Sequence, residues 1–396
     1  MLEKRIKRHV TARVHEFFAI VAPGLTEVCA AELAGLGLAE PPRVVPGGVI
    51  FSGKLSDLYR ASLWVSTASR ILMRVTDFTA RDFGALERAA GEIPWELYLP
   101  QEGAVAFRVA CRASRLYHRD AVAERFARAL SGRLATAWPV EDAGGAEEEE
   151  DDPAVQSIFV RAVDDRFTVS LDASGELLHK RGGEGLSGKA PLRETLAAGI
   201  LRLSGYDGSG PLVDPLCGSG NFSLEAAFLA KNAPCGWNRD FAFFRWPAFS
   251  RPQWEHLRKT AREGFRELSE PSVFASDADP AACAELKKRL AGFNLSDAVY
   301  VQDADFFSVD PGRLSREKGV VVMNPPYGLR MGSVDAAGRF FFEAAERLEK
   351  AWRGWRLGLI SPHEEWIRQA DLFHRMAKRR LFHGGLKVTL VTGTIP

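Results

Sequence analysis

Four short stretches carry side chains whose type and order could do chemistry. The first is Val213-Asp214-Pro215-Leu216-Cys217-Gly218-Ser219-Gly220-Asn221, where two glycines stand between a strand-like run and a helix-like one. Glycines there let backbone approach a ligand closely, and the amides opening a helix offer donors. A dinucleotide fingerprint would read GxGxxG with an acid about 20 residues on. Here Gly-Ser-Gly runs into Asn-Phe-Ser, and the next strand-end acid, Asp277, comes 63 residues after Asp214, which sets a nicotinamide cofactor aside. Asp277 is placed to accept from both ribose hydroxyls of a nucleoside, whereas Asp279, before Pro280, reads as a helix cap. In Gln302-Asp303-Ala304-Asp305, Asp303 is the better candidate for an adenine contact.

The fourth stretch is Asn324-Pro325-Pro326-Tyr327-Gly328, after an apolar run. Two prolines fix the backbone and withdraw two donors, so carbonyls are free to face a substrate. An exocyclic amine on a nucleobase donates two hydrogen bonds and has a delocalised lone pair. Held between the Asn324 side-chain oxygen and the Pro325 carbonyl, with Tyr327 stacked on the base, its nitrogen would be aimed at an electrophile. Cys217 reads as packing beside the glycine loop rather than as a nucleophile.

The elements that must position these residues alternate strand and helix. Expected are helix 191–204, strand 211–214, helix 221–230, strand 273–277, helix 280–290, strands 299–302 and 319–323, helix 339–350, strand 356–361 and a last strand 386–391. That pattern is a mainly parallel doubly wound sheet, whose function sits at the carboxyl ends of its strands. Upstream, strands at 17–21, 49–52, 71–78 and 105–110, helices at 26–36, 55–65 and 119–134, and a hairpin turning at Asp164-Asp165 imply small α+β modules.

Lys and Arg total 52 against 51 Asp and Glu in 396 residues, so net charge gives no hint of a polyanionic partner. Regional counting does. Residues 104–138 hold seven arginines against Asp120 and Glu124, and residues 139–153 hold eight acids and no base, the composition of an exposed loop. The five cysteines form no CxxC pair, so neither zinc nor a disulfide framework is expected. With no run of about 18 apolar residues and no signal-peptide pattern, a cytoplasmic protein without membrane association is expected.

The order DPLCGSGN, ASDAD, QDAD, NPPYG resembles the amino-methylating branch of the class I S-adenosylmethionine-dependent methyltransferases. Leu178-His179-Lys180-Arg181-Gly182, then Lys189-Ala190-Pro191-Leu192-Arg193-Glu194-Thr195-Leu196-Ala197-Ala198, then Asn238-Arg239-Asp240-Phe241-Ala242-Phe243-Phe244-Arg245-Trp246-Pro247, are similar to the bacterial 23S rRNA guanine-N2 methyltransferases. The resemblance implies a Rossmann-like methyltransferase domain at 173–396. Before it come a ferredoxin-like module at 1–65 and an RNA-binding THUMP domain at 66–172. It implies S-adenosylmethionine at Asp214, Cys217, Gly218, Gly220, Asn221, Asp277, Asp303 and Asn324, and chemistry at Asn324, Pro325, Pro326 and Tyr327. RNA contacts are expected from Arg112, Arg115 and Arg119, beside Tyr117 and His118, and from Lys180 and Arg181. Two departures are the acidic insertion at 139–153 and Gly183-Glu184, where relatives often carry an aromatic and a basic residue. The partner implied is 23S rRNA or a ribosome assembly intermediate, with a monomer and no metal. Alternatives are a tRNA guanine-N2 methyltransferase, a DNA adenine-N6 methyltransferase and a non-catalytic RNA-binding assembly factor.

Overall fold

The computed structural model describes residues 1–134, 140–141, 154–182, 192–328, 333–383 and 385–396. Its strands form two sheets. The first contains β1 (His15–Val21), β2 (Arg43–Val45), β3 (Gly48–Gly53), β4 (Ala68–Thr79), β5 (Ala104–Arg112), β6 (Val140–Glu141), β7 (Val155–Val163) and β8 (Arg166–Asp172), in the order β2-β3-β1-β4-β8-β7-β5-β6. Alternation makes these strands: in β1, Phe17, Ala19 and Val21 are buried and their neighbours only half so. Helices α1 (Thr26–Gly35), α2 (Leu55–Trp64), α3 (Phe83–Glu92) and α4 (Arg119–Leu134) accompany the sheet. From α3 and α4, Leu86, Ala90, Val122, Phe126 and Leu130 enter the same core as Phe107 and Phe167.

β4 pairs antiparallel with β1 on one side and β8 on the other. The modules expected at 1–65 and 66–172 therefore build one continuous sheet, and their division remains a proposal. The stretch expected as a loop from 139 to 153 needs correction at its start. There, β6 pairs in parallel with β5, and residues 142–153 lie outside the described residues.

The second sheet contains β9 (Leu212–Asp214), β10 (Val273–Asp277), β11 (Val299–Asp303), β12 (Val320–Met323), β13 (Arg356–Ser361), β14 (Ala377–His383) and β15 (Leu386–Thr394), in the order β11-β10-β9-β12-β13-β15-β14. β9 to β13 run parallel, and β15 is antiparallel between β13 and β14. Helices α5 (Glu194–Leu203), α6 (Asn221–Ala230), α7 (Arg251–Glu263), α8 (Pro280–Gly292) and α9 (Val334–Ala351) wind around it. β12 is buried along its whole length, which its Val-Val-Val-Met sequence suits. The expected doubly wound architecture is what the chain adopts. Its strand order reverses between β9 and β12, the switch point where such sheets bind ligands.

The two sheets are bonded together. The Glu32 carboxylate on α1 accepts from the backbone amides of Ser66 and Thr67 at 3.1 Å and meets Arg202 of α5 at 2.8 Å. Tyr59 stacks on Phe243 at 4.8 Å, and the Trp246 indole donates to the Gln156 amide oxygen at 2.8 Å. The Asn238–Pro247 motif thus lies between the two halves.

Candidate functional site

At the end of β9, Asp214 is fully buried, and its Oδ2 accepts from the Ser223 hydroxyl at 2.7 Å. Among the described residues its Oδ1 has no partner. Burial pushes this carboxyl up to about 7 against the pull of the Ser223 bonds, and the Asp277 charge adds to the rise. Gly220 turns the chain at φ 82°, and a Cβ there would meet Leu286 Cδ1 at 2.3 Å. Both facts demand glycine.

The loop is clamped to β10. The Gly218 amide donates to Asp277 Oδ2 at 2.9 Å, and the Asp279 amide to Asp277 Oδ1 at 2.9 Å. Each carboxylate oxygen retains a lone pair for a ligand hydroxyl. Asp279 caps α8 as expected, accepting from the Ala281 amide at 2.9 Å. Asp303 is exposed and stands opposite Asp277 in the parallel register of β10 and β11. Asp305, by contrast, caps the following turn by accepting from the Phe307 amide at 2.8 Å.

Two residues expected at the cofactor are built into the loop's support. Asn221 is buried; its Nδ2 donates to the Leu192 carbonyl and its Oδ1 accepts from Arg289 at 2.7 Å. Arg289 also donates to the Ser219 carbonyl at 2.6 Å and pairs with Glu194 at 3.0 Å. With both ends engaged, Asn221 holds the loop rather than a ligand. Cys217 is 7% exposed, and burial raises its thiol strongly, so it stays protonated.

β12 delivers Asn324 next to β9. Asn324 is half-buried, Pro325 buried and Pro326 exposed. The Tyr327 hydroxyl donates to Asn324 Oδ1 at 2.6 Å, which orients the amide and leaves that oxygen a second lone pair. Burial raises the phenol strongly, so it remains a donor. The sequence reading gave Tyr327 a stacking face alone and missed this bond. It also missed His363, beyond the end of β13, whose Nε2 lies 2.9 Å from the Tyr327 carbonyl and whose ring stacks on Trp366 at 3.7 Å. A histidine 36 residues downstream carries no local signal that it will brace a tyrosine backbone.

Arg112, Arg115 and Arg119 are exposed, as are Tyr117 and His118, whose ring centroids lie 4.2 Å apart. The loop between β5 and α4 is tied to the β7–β8 turn. The Asp165 amide donates to Ser114 Oγ at 3.1 Å, and Asp165 Oδ1 accepts from the Arg115 amide at 2.7 Å. Lys180 is half-buried beside Glu176 at 3.5 Å.

Arg181 is a correction. It is 4% exposed and meets Glu225 of α6 at 2.8 and 3.1 Å, while its other donors reach the Leu178 and Ser66 carbonyls at 2.9 and 2.7 Å. It links the β4 side of the first sheet to the helix after the glycine loop, and no RNA can reach it. Gly182 follows at φ 84°, where a Cβ would lie 2.2 Å from the Asn238 carbonyl. Gly183, Glu184 and Lys189-Ala190-Pro191 lie outside the described residues.

Among the described residues, no cluster of His, Cys, Asp and Glu could hold a metal, and no helix is long and apolar enough to cross a membrane.

The model of the RMKL-like methyltransferase domain matches residues 181–392, and that of the RlmL ferredoxin-like domain matches residues 16–72. The ribosomal RNA large subunit methyltransferase K/L of Syntrophotalea carbinolica is 31% identical over 405 residues, covering 95% of this chain and 53% of its own length. This chain thus spans about half of that relative. A Synechocystis protein named "Putative RNA methyltransferase slr0064" is 30% identical over 96% of this chain and 97% of its own. Among solved structures, SMU.472 in complex with SAH superposes with a TM-score of 0.82 at 27% identity, covering 97% of this chain and 99% of its own. A Listeria monocytogenes protein named as a predicted N6-adenine-specific DNA methylase gives 0.84 at 27% identity, covering 97% of each.

Proposed function

The chain belongs to the RMKL-like methyltransferase family, and from that premise we propose that it methylates the exocyclic N2 amine of a guanine in 23S rRNA. S-adenosylmethionine is the methyl donor. The residues present suit it: the glycine loop leaves backbone open beside Asp277, and Asp214 keeps a buried oxygen unpartnered. When bound, the donor supplies an electrophilic methyl on a sulfonium that departs as a neutral thioether.

The protein's part is positioning. Asn324 Oδ1 and the Pro325 carbonyl take the two hydrogens of the amine, so its lone pair faces the methyl carbon. That placement would let the nitrogen take the methyl as its bond to sulfur breaks, with the surplus amine proton released to solvent. Tyr327 keeps the Asn324 oxygen in place through its hydroxyl, and its ring covers the base. Pro326 keeps the chain extended there. A guanine inside a duplex cannot enter, so the base is flipped, at a cost of a few kcal/mol. Residues 66–172 act as a THUMP-type RNA-binding module, with Arg112, Arg115 and Arg119 on phosphates.

The observation that carries this reading is the Asn324–Tyr327 bond at the end of β12, one strand from the glycine loop. Labelled methyl transfer to rRNA, tRNA and DNA from a strain lacking the gene tests it. Label in large-subunit rRNA is expected, and Asn324→Ala should lower transfer by about 10²-fold or more while leaving donor affinity in place. Label in DNA alone overturns the reading, as does donor affinity lost together with transfer in Asn324→Ala.

A further inference from the structure

Between the two sheets lies a cavity of about 220 Å³. A water needs roughly 10–15 Å³ on that scale, so the space takes a solute of nucleotide size. Phe159 of β7, Phe382 and His383 of β14, His179 and Arg193 line it, and no Asp or Glu does so among the described residues. His179 is lowered to about 4, first by burial and then by the charges of Arg193, Arg181, Lys180 and Arg239, so the surroundings are electropositive. Phe382 is 42% exposed, and the strand leading to it begins Ala377-Lys378-Arg379-Arg380, all exposed. His383 joins this cavity to the amine site: its ring centroid is 6.4 Å from that of Tyr327.

A space with aromatic walls and no acid among its described lining residues, bounded by the last two residues of a basic strand, matches a polyanion that carries stackable bases. We propose that the cavity binds the nucleotide next to the target in the RNA strand, with Arg193 on its phosphate and Phe382 against its base. The assignment rests on the RNA reading above. A strand that gives one base to Asn324 must lay its neighbour within one backbone step of Tyr327, and His383 places this cavity there. Basic residues on an edge strand also deter edge pairing, and Arg380 does meet Glu364 at 3.3 Å. That role alone would leave RNA affinity unmoved.

Phe382→Ala and Arg193→Gln in the full chain test the proposal, with large-subunit rRNA from a strain lacking the gene as probe. Arg193 opens α5, so thermal melting checks that its variant folds. Phe382 is exposed, and its variant stands if the other fails. Phe382→Ala should weaken rRNA binding about 5- to 150-fold, the range for one lost base stack, and raise the KM for RNA without moving donor affinity. Arg193→Gln should make the slope of log K against log salt shallower by about 0.7 to 0.9. Wild-type transfer to rRNA with an unchanged KM and salt slope in the folded variants overturns the cavity assignment alone. A wild-type protein that methylates no RNA overturns the reading beneath it.

Discussion

Arg181 and Arg115 are the same residue in opposite surroundings. Arg181 sits at the junction of the two sheets, with side chain 3% exposed, and grips Glu225 at two points. Arg115 lies on the loop between β5 and α4, 70% exposed, with Asp165 3.9 Å away. A buried guanidinium must spend every donor on fixed partners, so it sets how two bodies sit. An exposed one keeps its charge for a ligand that arrives later. Under the proposed function, the junction sets where RNA on the first sheet would meet the strand ends of the second.

The sharpest way to break the contrast is Glu225→Ala, which leaves Arg181 buried without its carboxylate. A loss of about 3–5 kcal/mol is expected in denaturant unfolding, and a loss below about 1 kcal/mol would show that the junction does not depend on the pair. Next comes Asp214, another buried carboxyl. Its carboxyl stands at about 7 in the fold and near 4 in an unfolded chain. The folded state therefore holds a proton that the unfolded state releases. The stability this gives is complete below about pH 4 and is lost as pH rises through about 7. Thermal melts of the ligand-free protein should show that decline, and Asp214→Asn should flatten it.

On the exposed side, Arg112→Ala, Arg115→Ala and Arg119→Ala combined should make the salt dependence of RNA binding shallower by about two to three in log–log slope. The unfolding midpoint should hold, and a fall in it would place these arginines with Arg181. The smallest effect belongs to Arg128→Ala on α4, an exposed side chain that bridges exposed Glu124 and half-buried Glu87. A change within about 0.5 kcal/mol is expected.

The same contrast explains what could be read in advance. α6, β10 and β13 occupy the stretches expected for them, because βα alternation and buried apolar runs leave a strong local imprint. β14 was missed because its first four residues are exposed and three of them, Lys378, Arg379 and Arg380, are charged, so an edge strand showed no apolar alternation. α3 and α7 were missed because each buries only two residues. At the site, strand ends and glycines announced the loop, Asp277 and Asn324. Whether Asn221 would face a ligand or Arg289, and whether Arg181 would face RNA or Glu225, depends on chain 68 and 44 residues away, which local spacing does not encode.

The measurement that bears most directly on the amine chemistry is nucleoside analysis of large-subunit rRNA after incubation with this protein and methyl-labelled S-adenosylmethionine. Label should appear as N2-methylguanosine and vanish with Asn324→Ala. Recovery as N6-methyladenosine, or as a ring-carbon methyl, would contradict the assignment of Asn324 and Pro325 to the N2 amine.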